Sequence, residues 1–458
     1  MQSSESSASP KEKEGCAPQP EKPDSAPQPE KPSSASQTDK PRSGINPWLR
    51  VAVWLMRLIV GGVFIFSGFT KGVDPWGGLF KIEDYFAAWH VSATHAELLM
   101  VACGLALCEF ILGIIVISGS WRRVGAWLAM LFMLFMTGLT FYIMLEDPVS
   151  DCGCFGDALI LSNTMTFWKN VVLLTLTVLL VIYGRKCRGL FLPEFQWMPI
   201  VFSVIYLIVI EFVGYTFQPV IDFRPFPVDT DMVAMAEDAE NGKMMFVYEK
   251  DGKQTTFGLD DIPYDDDSWK FVKRIDAEGD DSQPKLAVFE GPDDVTSDIF
   301  KDEGDQYIIV VSDPERYGIS RGDMANRLYD YAKDNNADMF SIVAVPEDSV
   351  DAWKERVSAH YPVYHAEDTD LKMLVRGDGG FVMLRDGKIL YKANVYQLAP
   401  YFPRGKQTVT DLLDSGYDGL LPKITIIWLI AMLVVYFLSR FAFFMTIFKL
   451  NKNKKSEK

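Results

Sequence analysis

Cysteine is scarce in this chain: six in 458 residues, and none after Cys187. A disulfide-stapled fold is therefore excluded for the C-terminal half. Histidine is scarcer, with His90, His95, His360 and His365 the whole supply. None lies near a cysteine pair at metal-ligand spacing, so no metal site is expected. Positive charge is in deficit, 45 Lys+Arg against 61 Asp+Glu for a net of -16. No basic face for a nucleic acid follows from such a balance. No apolar run precedes residue 48, so no signal peptide is expected, and Cys16 lacks the apolar stretch that a lipoprotein signal needs. Cys16 reads as a plain tail thiol.

The charge deficit is local. Residues 218–420 hold 42 acidic and 22 basic side chains, net -20, whereas the rest of the chain carries +4. An apolar, slightly basic part carries an acidic, soluble part. Residues 1–45 repeat an APQPEKP-like unit with no apolar period. Such a tail cannot bury a core and reads as disordered.

Six stretches have the roughly 20 apolar residues that a bilayer crossing takes. They run approximately over 48–70, 96–118, 124–145, 167–183, 198–217 and 423–450. Cytoplasmic loops favour Lys and Arg. Arg42, Arg50, Arg122, Arg123, Arg185, Lys186, Arg188 and the lysines after residue 448 all fall on one side if both termini are cytoplasmic. The other side then receives residues 71–95, the loop after the third span and the acidic region. That pattern predicts a multi-pass protein of a bacterial inner membrane, in contact with the lipid bilayer and with its acidic part in the periplasm.

Within the first span, Arg57, Gly61, Phe64 and Gly68 recur at helical spacing. Small residues let a neighbouring helix approach closely. A charge inside a membrane wants a partner, and Glu109 in the second span offers one to Arg57. The alternative is that Arg57 snorkels to the cytoplasmic surface. Between these spans, "GVDPWGGLFKIEDYFAAWHVS" is amphipathic and is expected to lie along the membrane surface.

The loop after the third span reads Asp151-Cys152-Gly153-Cys154-Phe155-Gly156-Asp157. Three readings of it compete: a redox-active dithiol, cysteines that pair structurally with others, and metal binding. A disulfide across one intervening residue closes a small, strained ring, and strained bonds are the exchange-active ones. Asp151 and Asp157 are expected to raise both thiol pKa values. Cys103 and Cys108 in the second span lie about 140° apart on a helix and cannot easily bond each other. A relay from the loop to these cysteines and on to a quinone is conceivable by analogy with other membrane disulfide catalysts. Small buried packing residues are the other reading of both. Cys187, in "GRKCRG", reads as a reduced thiol.

An arginine in the first span followed by "GGVFIFSGFTKG", a glutamate in the second before "GIIVISGSWRRVGAW", and four spans in all resemble the DoxX family. The CGCFG run after the third span resembles its MauE branch, named for methylamine utilisation. The resemblance covers about residues 48–185. It implies a four-helix membrane bundle associated with periplasmic thiol redox or disulfide formation; Cys152 and Cys154 are the favoured exchanging pair.

Beyond the fifth span, residues 219–284 read as an irregular, β-rich connector, with a hairpin turned at Asp251-Gly252 and a further element over 267–281 that sheds into acidic turns. Residues 285–402 read β-α-β-α-β-β, with the last hairpin turned at Asp386-Gly387. That order resembles thioredoxin, but Asp313-Pro314-Glu315-Arg316 stands where the thiols should follow "IIVVS". The resulting plan is an all-α membrane part, a DoxX/MauE-like bundle over 46–188 with further spans at 196–218 and 422–450. It carries an inserted α/β thioredoxin-like domain over 285–402 and ends in a basic tail, 451–458. Thiol–disulfide support with a periplasmic thiol protein as partner is the favoured function. A non-enzymatic scaffold with structural cysteines is the alternative, and small-molecule transport is disfavoured because Arg57 and Glu109 are too few charges for an ion pathway.

Overall fold

The computed structural model describes residues 46–149, 152–240, 244–250, 253–258, 269–276, 286–398 and 419–456. Asp151, Cys16, the Asp251-Gly252 turn and the N-terminal tail, residues 1–45, lie outside them. Among the described residues, six helices are long and apolar enough to cross a membrane: Pro47–Val73, His95–Ser118, Arg122–Glu146, Asn163–Lys186, Pro193–Thr216 and Leu420–Lys449.

Helix α1 (Pro47–Val73) ends where Pro75 removes a donor and opens α2 (Pro75–Ala88). Asp74 caps α2, accepting from the Gly77 amide at 2.9 Å. Leu79 on α2 packs against Leu98 and Ala102 of α3 (His95–Ser118). The α1–α3 contact is made backbone to backbone. A Cβ on Gly68 would stand 2.5 Å from the Phe110 amide nitrogen, and one on Gly61 2.8 Å from the Gly113 carbonyl oxygen. Any side chain there forces the helices apart. Helices α4 (Arg122–Glu146) and α5 (Asn163–Tyr183) complete a four-helix bundle, with Asn170 donating to Thr140 Oγ1 across them at 3.2 Å. Helix α6 (Met198–Thr216) packs on α1 and α3 through Leu207 and Ile210.

The described residues of 219–284 add a helix to the expected strands. Helix α7 (Met232–Glu240) buries Met232 and Ala236 beside Phe226 in the core of the following domain. The apolar spacing Met232, Met235, Ala236 is helical, but the acidic surroundings mask it. Strands β1 (Met244–Lys250), β2 (Lys253–Gly258) and β3 (Lys270–Asp276) form an antiparallel sheet in the order β2-β1-β3.

A mixed α/β domain follows. Its elements are β4 (Phe289–Glu290), β5 (Asp293–Asp294), the single turn α8 (Thr296–Ile299), β6 (Asp305–Val311), α9 (Pro314–Asp334), β7 (Asp338–Val343), α10 (Val350–Val357), β8 (Val363–His365), α11 (Asp368–Leu374), β9 (Gly380–Arg385) and β10 (Lys388–Asn394). The sheet order is β10-β9-β6-β7-β8-β4-β5. Strand β6 runs parallel to β7 and antiparallel to β9. Its continuous apolar run has a physical reason: both faces are covered. Tyr307, Ile309 and Val311 meet Leu328, Trp353 and Val357 on one side. Ile308 and Val310 meet Met232, Leu371 and Leu374 on the other. The β9–β10 turn places Asp386 and Gly387 at positive φ, as a two-residue hairpin requires.

Helix α12 (Leu420–Ser456) returns along α6, where Trp428 stacks on Tyr206 at 4.7 Å. The α/β domain docks at the α2 end of the bundle. Asn394 donates to the Thr216 carbonyl at 2.8 Å, capping α6, and Gln218 brackets Arg376 by donating to its carbonyl at 2.8 Å and accepting from its amide at 3.1 Å.

Candidate functional site: the Cys-Gly-Cys loop

Gly153, at φ 64°, takes the left-handed conformation that lets the chain reverse between the two cysteines. Both cysteines are buried, and their sulfurs lie 2.9 Å apart, within hydrogen-bonding distance. Each backbone is held from outside the loop. Tyr85 of α2 donates to the Cys152 carbonyl at 3.0 Å, and Ser67 of α1 to the Cys154 carbonyl at 2.5 Å.

A buried polar cluster lies under Cys154. Lys71 Nζ is 2.8 and 2.7 Å from the two carboxylate oxygens of Glu109 and 3.0 Å from Ser67 Oγ. Ser67 Oγ is also 2.6 Å from Glu109 Oε2. One hydroxyl proton thus faces two acceptors, the carboxylate and the Cys154 carbonyl, and can serve only one at a time. A cavity of about 30 Å³ opens beside this cluster, lined among others by Ser67, Glu109, Cys154, Phe155 and Lys169. Lys169 Nζ sits 4.2 Å from the Phe155 ring centroid.

These neighbours set the thiols apart. The thiol of Cys152 hydrogen-bonds to Cys154 and, against burial, brings the Cys154 pKa down to about 7, with the Lys169 and Lys71 cations assisting. Cys152 keeps its proton: the same bond and its burial push its pKa up. The pair therefore carries one proton that leaves readily and one that does not. The flanking aspartates were expected to raise both thiols. For Cys154 the outcome is the reverse: the Cys152 hydrogen bond, with Lys169 and Lys71 assisting, outweighs burial, and Asp157 is engaged by Arg376. Burial raises the Asp157 carboxyl above its usual range, against the pull of Arg376.

The predicted Arg57–Glu109 pair does not form. Arg57 donates to the carbonyls of Gly184, Cys187 and Arg188 at 3.0, 3.2 and 3.1 Å. The antiparallel register explains this. With Gly61 against Gly113 and Gly68 against Phe110, Glu109 falls level with Ser67. Arg57 lies ten residues, or about 15 Å, further along the helix. The fourth-span turn that satisfies Arg57 lies far away in sequence. Lys71, the true partner, is a basic residue at i+4 from Ser67; that spacing was the available signal.

Cys152 and Cys154 are brought together. Cys103 and Cys108 are not brought to them: Cys103 is half-buried and Cys108 is exposed on the outer surface of the bundle. Cys187 is buried in the turn that holds Arg57. Sequence reasoning missed Ser67, Lys71, Tyr85, Lys169 and Arg376.

No curated protein matches the chain. Residues 242–277, which include β1, β2 and β3, match a domain of unknown function (DUF8463). Residues 49–183, the four-helix unit with its cysteine loop, match the family model of the methylamine utilisation protein MauE.

Proposed function

We propose that this protein is a thiol–disulfide exchange component of a bacterial inner membrane, with Cys152 and Cys154 as the exchanging pair. One observation carries the reading: two buried sulfurs 2.9 Å apart, free of any disulfide and set against a Lys71–Glu109–Ser67 cluster. A pair held for packing alone has no need of a buried cation, a carboxylate and a hydroxyl beside it, each costly to desolvate.

The chemistry balances without a further cofactor. The Cys154 thiolate attacks one sulfur of a partner disulfide, that S–S bond breaks, and the leaving sulfur departs as a thiolate that takes up a proton. Cys152 then gives up its proton and its sulfur attacks Cys154. The intramolecular disulfide forms and the second partner thiol leaves. Two electrons pass to the partner, and the reverse sequence reduces the pair. Cys154 is the nucleophile because its proton leaves first. A cavity of about 30 Å³ has room for a water molecule or two. No step is routed through a quinone.

The α/β domain is read as thioredoxin-like. The parallel β6–β7 pair, antiparallel β9 and β10 and helices on both faces support that reading. Asp313-Pro314 follows β6, so the domain contributes no thiol. The lysine and arginine bias between spans supports cytoplasmic termini and a periplasmic cysteine loop.

Thiol trapping in cells tests the function. Cys152→Ser is expected to accumulate a mixed disulfide through Cys154, and Cys154→Ser is not. A wild-type pair that stays permanently oxidised or permanently free under every redox condition sinks the proposal.

A further inference from the structure

The α/β domain has no thiol to exchange, yet it reaches the cysteine loop. We infer that Arg376 is a positioning residue through which this domain sets the geometry of the Cys152–Cys154 pair; the inference rests on the exchange reading above.

Arg376 holds two carboxylates that are far from it in sequence. Its Nε and Nη2 donate to Asp74 Oδ2 at 3.0 and 2.9 Å, and Nη2 also donates to Asp157 Oδ2. Nη1 donates to the Lys372 carbonyl at 2.6 Å. With Gln218 bound to its backbone on both sides, the side chain has no second place to go. Burial alone would depress the guanidinium pKa, but the two carboxylates outweigh that and raise it.

Each carboxylate leads to one cysteine. Asp74 caps α2, and α2 carries the Tyr85 that holds the Cys152 carbonyl. Asp157 sits in the single 3₁₀ turn Gly156–Ala158, immediately after Cys154-Phe155. One planar fork therefore ties together the two elements that flank the sulfurs. How readily two thiols close to a disulfide depends on how well their approach is pre-set. Loosening either flank lowers the effective concentration of one sulfur at the other.

The test uses the full chain in membranes. The Cys152–Cys154 pair is equilibrated in dithiothreitol or glutathione redox buffers, and the peptide that holds both cysteines is quantified by mass spectrometry after alkylation. Arg376→Gln is expected to lower the equilibrium constant for disulfide closure about tenfold, equivalent to about 30 mV. It is also expected to speed alkylation of the reduced pair about tenfold, because the flank opens. Arg376→Lys should fall between, since a point charge cannot fork to two carboxylates. Arg385→Gln, which removes an exposed pair with Asp305 on the same domain, should change neither quantity.

Wild-type values for Arg376→Gln, or an equal shift from Arg385→Gln, overturn the inference. If Arg376→Gln does not accumulate, Asp157→Asn must show the same two shifts, and wild-type values there overturn it equally. A wild-type pair that never equilibrates with the buffers defeats the exchange reading. The alkylation rates still decide on Arg376: a tenfold rise supports positioning and equal rates reject it.

Discussion

Helix α1 carries two buried cations, Arg57 in its first half and Lys71 in its last turn, and the two have opposite characters. Arg57 is surrounded by backbone carbonyls of the turn after α5. Carbonyls accept and cannot give up a proton, so this end can only be held together. Lys71 is surrounded by a carboxylate and a hydroxyl, next to a thiol pair. Each of those groups can give or accept a proton. A buried charge in a membrane protein is thus not diagnostic by itself; its partners decide whether it braces the fold or serves chemistry.

The largest effect expected from breaking this contrast is at the bracing end. Arg57→Ala removes three charge-assisted hydrogen bonds to the turn after α5. At about 1.5–3 kcal/mol for each such bond, the loss is comparable to a whole domain's stability. The variant should fail to accumulate in membranes, and wild-type levels would show that the turn after α5 holds without it.

Lys71→Met should come next. It leaves Glu109 buried without a cation, which costs about 3–5 kcal/mol. The double variant Lys71→Met, Glu109→Gln should recover much of that in thermal unfolding, while thiol exchange stays impaired. Recovery of both stability and exchange would reduce the cluster to a brace like Arg57.

A smaller effect concerns pH alone. The Cys154 thiol lies at about 7, so alkylation of the reduced pair by iodoacetamide should rise through a midpoint near that value. Its folded pKa is below its ordinary one, so the thiolate is present above the midpoint and lost as pH falls through it. Lys169→Met removes a nearby cation and should move the midpoint upward by about one unit. An unmoved midpoint would leave the depression to the Cys152 hydrogen bond and Lys71.

The same contrast explains how much was legible in the sequence. Apolar length marked six spans, and alternating and continuous apolar runs marked β6, β7, β9 and β10, because burial leaves a local pattern. The cysteine loop was legible from its own residues. What could not be read is what the tertiary register decides. Glu109 meets Lys71 rather than Arg57 because glycine contacts set the α1–α3 alignment. Arg376 reaches Asp74 and Asp157 across separations of 302 and 219 residues, and no spacing announces that. Helix α7 was hidden for a different reason: its buried face has few apolar residues and lies in an acidic stretch.

The smallest effect is expected at Cys103 and Cys108, where the contrast between holding and reacting reaches its limit. A relay needs a sulfur that can approach the loop pair. Cys108 precedes Glu109, and neighbouring residues on a helix point about 100° apart. Glu109 faces the cluster, so Cys108 faces outward, where it is exposed. Cys103 lies six residues before Glu109, about 9 Å along the helix. Replacing both with alanine should leave the redox equilibrium of Cys152–Cys154 unchanged within a factor of about two, well short of the tenfold that one broken coupling produces. A loss of exchange in that variant, with the protein still accumulating, would restore the relay and place a second pair of working sulfurs inside the bundle.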